Sequence, residues 1–331
     1  MKDEVLLEVK DLKKYFPAHS SRLFAQKKYV KAVDGVNLTI HKGETLGLVG
    51  ESGCGKSTLG KCILRLIEPT AGQVLFEGED ILALPAEQMR NKRKKLQVIF
   101  QDPYASLNPR MTVFETVRSP LDAFHIGTKE EREQKVMEMI RYVGLNAHLM
   151  HRYPHEFSGG QRQRMIIARA LVLEPSLIVC DEPVSALDVS IRSQVLNLMQ
   201  DIQRERKLTY LFISHDMSVV KHISDRVAVM YLGHVVELAT KQQLFAAPQH
   251  PYTQALMSAI PIPDTRVKTK RVLLNGDVPS PLNPPSGCCF HTRCPYATER
   301  CGKEAPLLQE REPGHWTACH CSVAAKKEEA K

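Results

Sequence analysis

The run Gly50-Glu51-Ser52-Gly53-Cys54-Gly55-Lys56-Ser57-Thr58 carries the strongest chemical signal in the chain, a match to the Walker A pattern G-x-x-x-x-G-K-[ST]. Glycines without side chains let successive backbone N–H groups wrap a phosphate. A helix beginning near Lys56 aims its positive end at the same point. In that setting Lys56 can reach the β and γ phosphates of a nucleotide, and the Ser57 hydroxyl can ligate Mg²⁺. A second chemical position closes the apolar run Leu177-Ile178-Val179-Cys180 with Asp181-Glu182. Carboxylates at the carboxyl end of a buried strand are placed to complete a metal shell, here through Asp181. They can also take a proton from an attacking water, here through Glu182. Cys54, beside Lys56 and a helix start, is expected to have a depressed thiol pKa and to be alkylated unless nucleotide protects it. The competing reading is an inert small residue filling the loop.

A third constellation lies far downstream. The chain has nine cysteines, and six of them fall between Cys288 and Cys321. Cys288, Cys294, Cys301 and Cys319 are spaced C-x5-C-x6-C-x17-C and could supply four thiolates. An all-thiolate quartet suits zinc or iron–sulfur, but the spacing fits neither ferredoxin pattern. Cys289 and Cys321 leave the first and last ligands open, while His291, His315 and His320 leave mixed zinc ligation open. Free cysteines in a purely structural tail are the third possibility.

The elements that must position these groups follow from pattern. Strands are expected at Val5–Val9, Val36–Ile40 and Thr45–Val49, punctuated by turns at Asp34-Gly35 and Lys42-Gly43. Leu46 to Val49 is apolar throughout and fits a strand buried on both faces. From Asp102 to Phe157 the character is helical, with Thr128 and Glu131 forming a capping box, which reads as an inserted helical segment. Strands return at Leu177–Cys180, Tyr210–Ile213 and Val227–Met230 around a helix over Val189–Arg206, so the fold class is α/β with a parallel sheet. Beyond Pro261 the composition turns to prolines and cysteines, which places a boundary near 262. The charged 326–331 tail is expected to fray.

At 331 residues and 37.3 kDa, the chain exceeds one small core. Its 43% apolar and 25% charged residues, with a mean hydropathy of -0.25, exclude wholesale disorder. No stretch approaches the roughly 18 to 20 apolar residues of a membrane span, and residues 1–10 lack a signal peptide's apolar run. The chain is therefore expected to stay inside the cell. Its 45 Lys and Arg against 37 Asp and Glu leave a charge of +8, suited to phosphate ligands, nucleic acid or an anionic membrane surface. An odd cysteine count without a secretory signal argues against a disulfide scaffold.

Many phosphate-loop proteins share these features, and the discriminating stretch is Phe157-Ser158-Gly159-Gly160-Gln161-Arg162-Gln163-Arg164. Ser158 suits an N-cap, and two glycines open a helix whose body is Met165 to Leu173, giving a second anion-binding helix end. Here the sequence resembles the ABC-transporter ATPase family, whose signature reads LSGGQ, with Phe157 replacing the leading Leu. The resemblance spans roughly residues 5 to 262. It implies a P-loop NTPase nucleotide-binding domain with a RecA-like core, an antiparallel β subdomain and a helical subdomain at about 103–157. In the family, Ser158, Gly159, Gly160 and Gln161 complete the ATP site of a facing subunit, so that two chains sandwich two nucleotides. Gly50, Ser52, Gly53, Cys54, Gly55, Lys56, Ser57 and Thr58 then bind ATP. Asp181, Ser57 and Gln101 serve Mg²⁺, and Glu182 is the base. Gln101 resembles the Q-loop glutamine and His215 the switch histidine. Asp188, in Ser185-Ala186-Leu187-Asp188, resembles the D-loop at the dimer seam. Tyr15 resembles the adenine-stacking aromatic, with Phe16 and Tyr29 as competitors.

His250-Pro251-Tyr252-Thr253-Gln254-Ala255-Leu256, the Pro279 to Gly287 stretch and Gln101 to Arg110 narrow the resemblance to dipeptide, oligopeptide and nickel importer ATPases. The nearest likeness is to the F-type subunit of dipeptide and oligopeptide permeases. It implies a heterodimer with a second, D-type ATPase, two transmembrane permease subunits, and an external peptide-binding protein acting indirectly. The chain would be peripheral at the cytoplasmic membrane face, without nucleic acid. Residues 263–331 would form a Cys-rich C-terminal extension, and members of this branch can carry a [4Fe-4S] cluster at such a quartet. The rival functions are a soluble ABC ATPase acting on nucleic acid or ribosomes, and an importer ATPase for nickel or another non-peptide cargo.

Overall fold

The computed structural model describes residues 4–18, 28–260, 274 and 276–321. The expected boundary near 262 and the 326–331 tail lie outside the described residues. Contacts divide the chain into two compact units. One comprises His41–Glu44 and Ala83–Ile213, and the other Val5–Ile40, Thr45–Leu82 and the chain from Ser214 onward.

The chain opens on two 13-residue strands, β1 (Val5–Pro17) and β2 (Tyr29–His41). The expected strand at Val36–Ile40 is only the inner end of β2, and Asp34-Gly35 is not a turn. Gly35 sits within β2 at φ +73°, a conformation open to a glycine, so the strand passes through a local twist instead of reversing. After the turn at Lys42-Gly43 comes β3 (Thr45–Val49), buried at all five positions as its apolar run requires. It feeds α1 (Lys56–Ile63), β4 (Ala71–Phe76) and β5 (Glu79–Asp80). The second unit thus holds an antiparallel sheet in the order β2-β1-β4-β5, with buried Leu7 opposite Phe76 and Val9 opposite Val74.

The first unit contains α2 (Ala86–Lys92), β6 (Leu96–Ile99) and the helical insertion α3 (Pro103–Ser106), α4 (Val113–Ala123) and α5 (Lys129–Tyr142). Capping boxes at Thr112/Glu115 and Thr128/Glu131 start α4 and α5, satisfying N–H groups that the first helical turn leaves unpaired. Then follow α6 (Gly159–Leu171), β7 (Leu177–Asp181), α7 (Val189–Arg206) and β8 (Thr209–Ser214). Strands β6, β7 and β8 run parallel, with Leu96 opposite Leu177 and Asp181 opposite Ile213. Every residue of β7 and β8 is buried.

The rest of the second unit is α8 (Met217–Ile223), β9 (Arg226–Tyr231), β10 (His234–Thr240), α9 (Lys241–Ala246) and α10 (Pro251–Ser258). After these come a 3-10 turn at His291–Arg293, α11 (Glu299–Lys303), β11 (Gln309–Glu312) and β12 (His315–Thr317). Strand β9 lies parallel to β3, and β10, β12 and β11 add antiparallel beyond it. Val49, Val229, Tyr231, Tyr252, Cys288, Phe290 and Cys301 share one buried cluster, so residues 276–321 pack into the same core as the strand that leads to Lys56. Among the described residues no helix is long and apolar enough to cross a membrane.

Candidate nucleotide site and the cysteine segment

In the second unit, the loop from Gly50 to Gly55 joins β3 to α1 with backbone pressed against its neighbours. A Cβ at Gly50 would lie 2.1 Å from the Met230 carbonyl oxygen, and one at Gly55, which has φ +106°, 2.0 Å from that of Ala32. Glycine is therefore required at both by contact as well as by the loop's curvature. Lys56 is buried, and its Nζ donates to the carbonyls of Gly50 at 2.8 Å and Glu51 at 2.9 Å. Cys54 Sγ lies 3.7 Å from the same ammonium. The expected depression of the Cys54 thiol is overturned: burial pushes its pKa up and outweighs the nearby positive charge. Gly53, Ser57 and Thr58 lie along the same loop and helix start, with Ser52 and Gly53 exposed.

The residues that hold this loop escaped sequence reasoning. The Glu51 N–H donates to the Tyr252 hydroxyl at 2.8 Å, and the Glu51 carboxylate takes both terminal nitrogens of Arg293 at 2.9 and 3.2 Å. Tyr252 lies in the 250–256 stretch, whose sequence signal is a family likeness and not a contact, and Arg293 lies among cysteines with no sequence signal of its own. Tyr15 is half-buried: its hydroxyl donates to Asp34, and Lys31 sits over its ring at 5.4 Å. Burial, then the Asp34 bond, raises its pKa. His215 is exposed, just past the end of β8.

In the first unit, Asp181 ends β7, buried, and Glu182 follows in the left-handed region at φ +49°. Few non-glycine residues adopt that conformation, and here the Glu182 N–H is fixed to the Ile213 carbonyl at 3.0 Å. Gln101 Nε2 donates to Glu182 Oε2 at 3.1 Å, so two expected site residues meet. Ser158 caps α6 as expected: its Oγ accepts from the Gln161 N–H at 3.4 Å while Gln161 Oε1 accepts from the Ser158 N–H at 3.0 Å. Gly160 serves packing too, since a Cβ there would lie 2.4 Å from Ile191 Cγ2 of α7. Asp188 is the N-cap residue of α7, with no cap bond from its side chain.

Cys288 and Cys301 are buried, whereas Cys289, Cys294, Cys319 and Cys321 are half-buried. Burial pushes the Cys288 and Cys294 thiols up, and Cys319 to about 12; nearby cysteines add to the effect at all three. At Cys294 those neighbours are Cys288, Cys301 and Cys321, and at Cys319 they are Cys288, Cys294 and Cys321. The thiols are thus gathered in one region, and Cys319 Sγ donates to the Cys321 carbonyl at 3.0 Å. Among the described residues, however, no group of three or more His, Cys, Asp or Glu side chains is arranged to hold a metal ion. The expected four-thiolate set of Cys288, Cys294, Cys301 and Cys319 is therefore not assembled as a metal site among the described residues. Mixed zinc ligation through these histidines is likewise not assembled among the described residues, although each ring uses only one nitrogen in a hydrogen bond. His291 Nδ1 is engaged by the Cys288 carbonyl at 2.8 Å, His315 Nε2 by Glu237 at 2.7 Å and His320 Nε2 by the Glu304 carbonyl at 3.0 Å.

Residues 33–185 match the family described as ABC transporter, and residues 236–301 match the oligopeptide/dipeptide transporter C-terminal region. The chain is 56% identical over 320 residues to the oligopeptide transport ATP-binding protein AppF of Bacillus subtilis (strain 168), covering 96% of this chain and 97% of that protein. It is 54% identical over 311 residues to the oligopeptide transport ATP-binding protein OppF of Salmonella typhimurium, covering 92% and 93%. Among solved structures, a dimeric post-hydrolysis state of the ATP-binding cassette MJ0796 bound to ADP and Pi superposes with a TM-score of 0.63 at 28% identity, covering 71% of this chain and 98% of the other. CbiO1 of Clostridium perfringens, part of the ABC transporter complex cbiONQ, superposes with a TM-score of 0.64 at 28% identity, covering 74% and 92%.

Proposed function

The chain belongs to the ATP-binding subunits of ABC transporters, in their oligopeptide and dipeptide branch, and from that premise we propose that it drives import of dipeptides or oligopeptides. It is an ATPase of the ABC type. The observation that carries the peptide reading is the likeness to peptide-transport subunits along 96% of the chain, including the C-terminal region that a general ATP cassette lacks. Neither the nucleic-acid nor the nickel reading gains support from these relatives.

In this reading, Lys56 neutralises charge on the β and γ phosphates, Ser57, Gln101 and Asp181 serve Mg²⁺, and Glu182 takes the proton of the attacking water. Gly50, Ser52, Gly53, Cys54, Gly55 and Thr58 complete the cradle, Tyr15 stacks on adenine, and His215 faces the γ phosphate. Ser158, Gly159, Gly160 and Gln161 present their helix start to the nucleotide of a facing subunit, a D-type partner, and Asp188 lies at that seam. The Gln101–Glu182 bond and the capped start of α6 support these roles. Binding of ATP closes the pair, and preference of the nucleotide for the closed state turns two membrane subunits to another access state. Residues 5–262 form the nucleotide-binding domain and 263–331 the extension, peripheral at the cytoplasmic face.

A [4Fe-4S] cluster on Cys288, Cys294, Cys301 and Cys319 is a finer proposal, supported only by the gathering of those thiols. Anaerobically purified protein without brown absorbance, iron or sulfide would remove it. The function itself is tested by uptake through the reconstituted complex over a panel of peptides, with and without the binding protein. Peptide-dependent, ATP-driven uptake is expected; uptake of a metal chelate but of no peptide would refute the cargo class.

A further inference from the structure

Glu51 is held at three points. Its N–H is held by Tyr252 at the start of α10, its carboxylate by Arg293 at the end of the 3-10 turn, and its carbonyl accepts from Lys56 Nζ at 2.9 Å. The residue next to the phosphate-loop glycine is thus tied both to the lysine and to residues more than two hundred positions downstream. A bidentate guanidinium–carboxylate pair fixes orientation as well as distance, which a lysine in the same place would not. The Arg293 side chain is 8% exposed and that of Glu51 27%, so the pair is largely shielded from solvent.

The turn that carries Arg293 is itself fixed. Its N–H donates to the Phe290 carbonyl at 3.0 Å. The Phe290 ring is 1% exposed and packs edge-on to Tyr231 with centroids 5.2 Å apart, and against Tyr252 and His250 at 5.5 Å. Arg293 therefore cannot follow a moving Glu51 without opening that aromatic core.

We propose that Arg293, seconded by Tyr252, is a positioning residue of the ATP site: it fixes Glu51, and through the Glu51 carbonyl the place from which the Lys56 ammonium meets the nucleotide. The proposal rests on residues 50–58 being the ATP site. To reach a phosphate, Lys56 must exchange the two carbonyls it now holds for phosphate oxygens. With Glu51 anchored from behind, the loop keeps its shape while the lysine turns. Without the anchor, the loop must be ordered at the expense of binding. Segment 276–321 is in this sense part of the phosphate site.

Binding of MgATP to the full-length chain is measured by calorimetry, together with melting temperature, for wild type, Arg293→Ala, Arg293→Lys, Tyr252→Phe, Glu51→Ala, the Glu51→Ala/Arg293→Ala pair and Lys56→Ala. Arg293→Ala is expected to weaken ATP about tenfold, the fold-change of losing part of a charge-assisted hydrogen bond. Arg293→Lys should recover part of it, and Tyr252→Phe should weaken binding less than Arg293→Ala. The pair should bind no more weakly than Glu51→Ala alone, because both changes remove the same link. A lower melting temperature with unchanged ATP affinity in folded Arg293→Ala would overturn the proposal, as would additive losses in the pair. Lys56→Ala separates the two levels. If it leaves ATP affinity intact, residues 50–58 are not the site. If it abolishes binding while Arg293→Ala is silent, only the positioning role fails.

Discussion

At the scale of single residues, the backbone at Glu182 separates the two members of the acidic pair that closes β7. Asp181 still belongs to the strand, whereas Glu182 turns into the left-handed region and is pinned there by the Ile213 carbonyl. Its carboxylate then meets Gln101 Nε2. Glu182→Gln keeps that contact but can accept no proton. Hydrolysis by the assembled transporter should fall about 10²- to 10⁴-fold while ATP binding persists, read by phosphate release beside calorimetry. Unchanged turnover would refute the base assignment. Cys54 shows the opposite case, in which proximity to a charge misleads. Lys56 lies close by, yet a thiol that burial holds above its ordinary value is mostly un-ionised at neutral pH. Maleimide should therefore label Cys54 more slowly than an unstructured cysteine peptide at pH 7.5, and faster labelling would contradict the burial argument.

At the scale of elements, what could be read from sequence was whatever a single local rule decided. Strands β3, β7 and β8 are apolar because both their faces are covered, and α5 and α6 begin where capping boxes put them. Helix α7 matched Val189–Arg206 end to end. Strand β2 was misjudged because Gly35 carries a positive φ inside a strand, and β10 was missed because buried Glu237 interrupts its apolar run. The β11–β12 hairpin is short and charged, and its place depends on a partner strand far away in sequence. The site's chemistry was visible for the same reason as β3, since motif and strand coincide, whereas the Arg293–Glu51 link spans 242 positions and no local pattern encodes it. At the junction of α6 and α7, magnitudes decide the sign of a substitution. Glycine to alanine inside a helix ordinarily stabilises by about 0.4–1 kcal/mol. At Gly160 the new Cβ would meet branched Ile191 at 2.4 Å, and overpacking of that kind costs about 1–3 kcal/mol, so the clash prevails. Gly160→Ala should lower the melting temperature, while Gly159→Ala, whose Cβ would stand 3.4 Å from Leu187, should be mild; equal effects would dismiss the packing role.

At the scale of the whole molecule, the C-terminal segment and the phosphate loop meet through a buried polar hub. Glu237 is fully buried and accepts from the N–H groups of Gln249 at 2.7 Å and His250 at 3.0 Å, with His315 of β12 at 2.7 Å. His250 in turn caps α10, its Nδ1 accepting from the Tyr252 N–H at 3.1 Å, and Tyr252 holds Glu51. A protonated Nδ1 cannot accept, so this chain of contacts needs a neutral His250. Burial lowers its pKa to about 4, against the raising influence of Glu237. An unfolded chain takes up the proton near pH 6.5 and the folded one only near 4, so the unfolded state binds more protons in between. Stability must then fall as pH drops through that window, by up to about 3 kcal/mol if the whole shift is realised. His250→Asn retains a capping acceptor but does not titrate. Its melting temperature should decline less steeply between pH 6.5 and 4 than that of wild type, and its ATP affinity should hold where that of wild type weakens as α10 loses its cap. Parallel pH profiles for the two proteins would show that the acid sensitivity arises elsewhere and that the hub does not reach the phosphate loop.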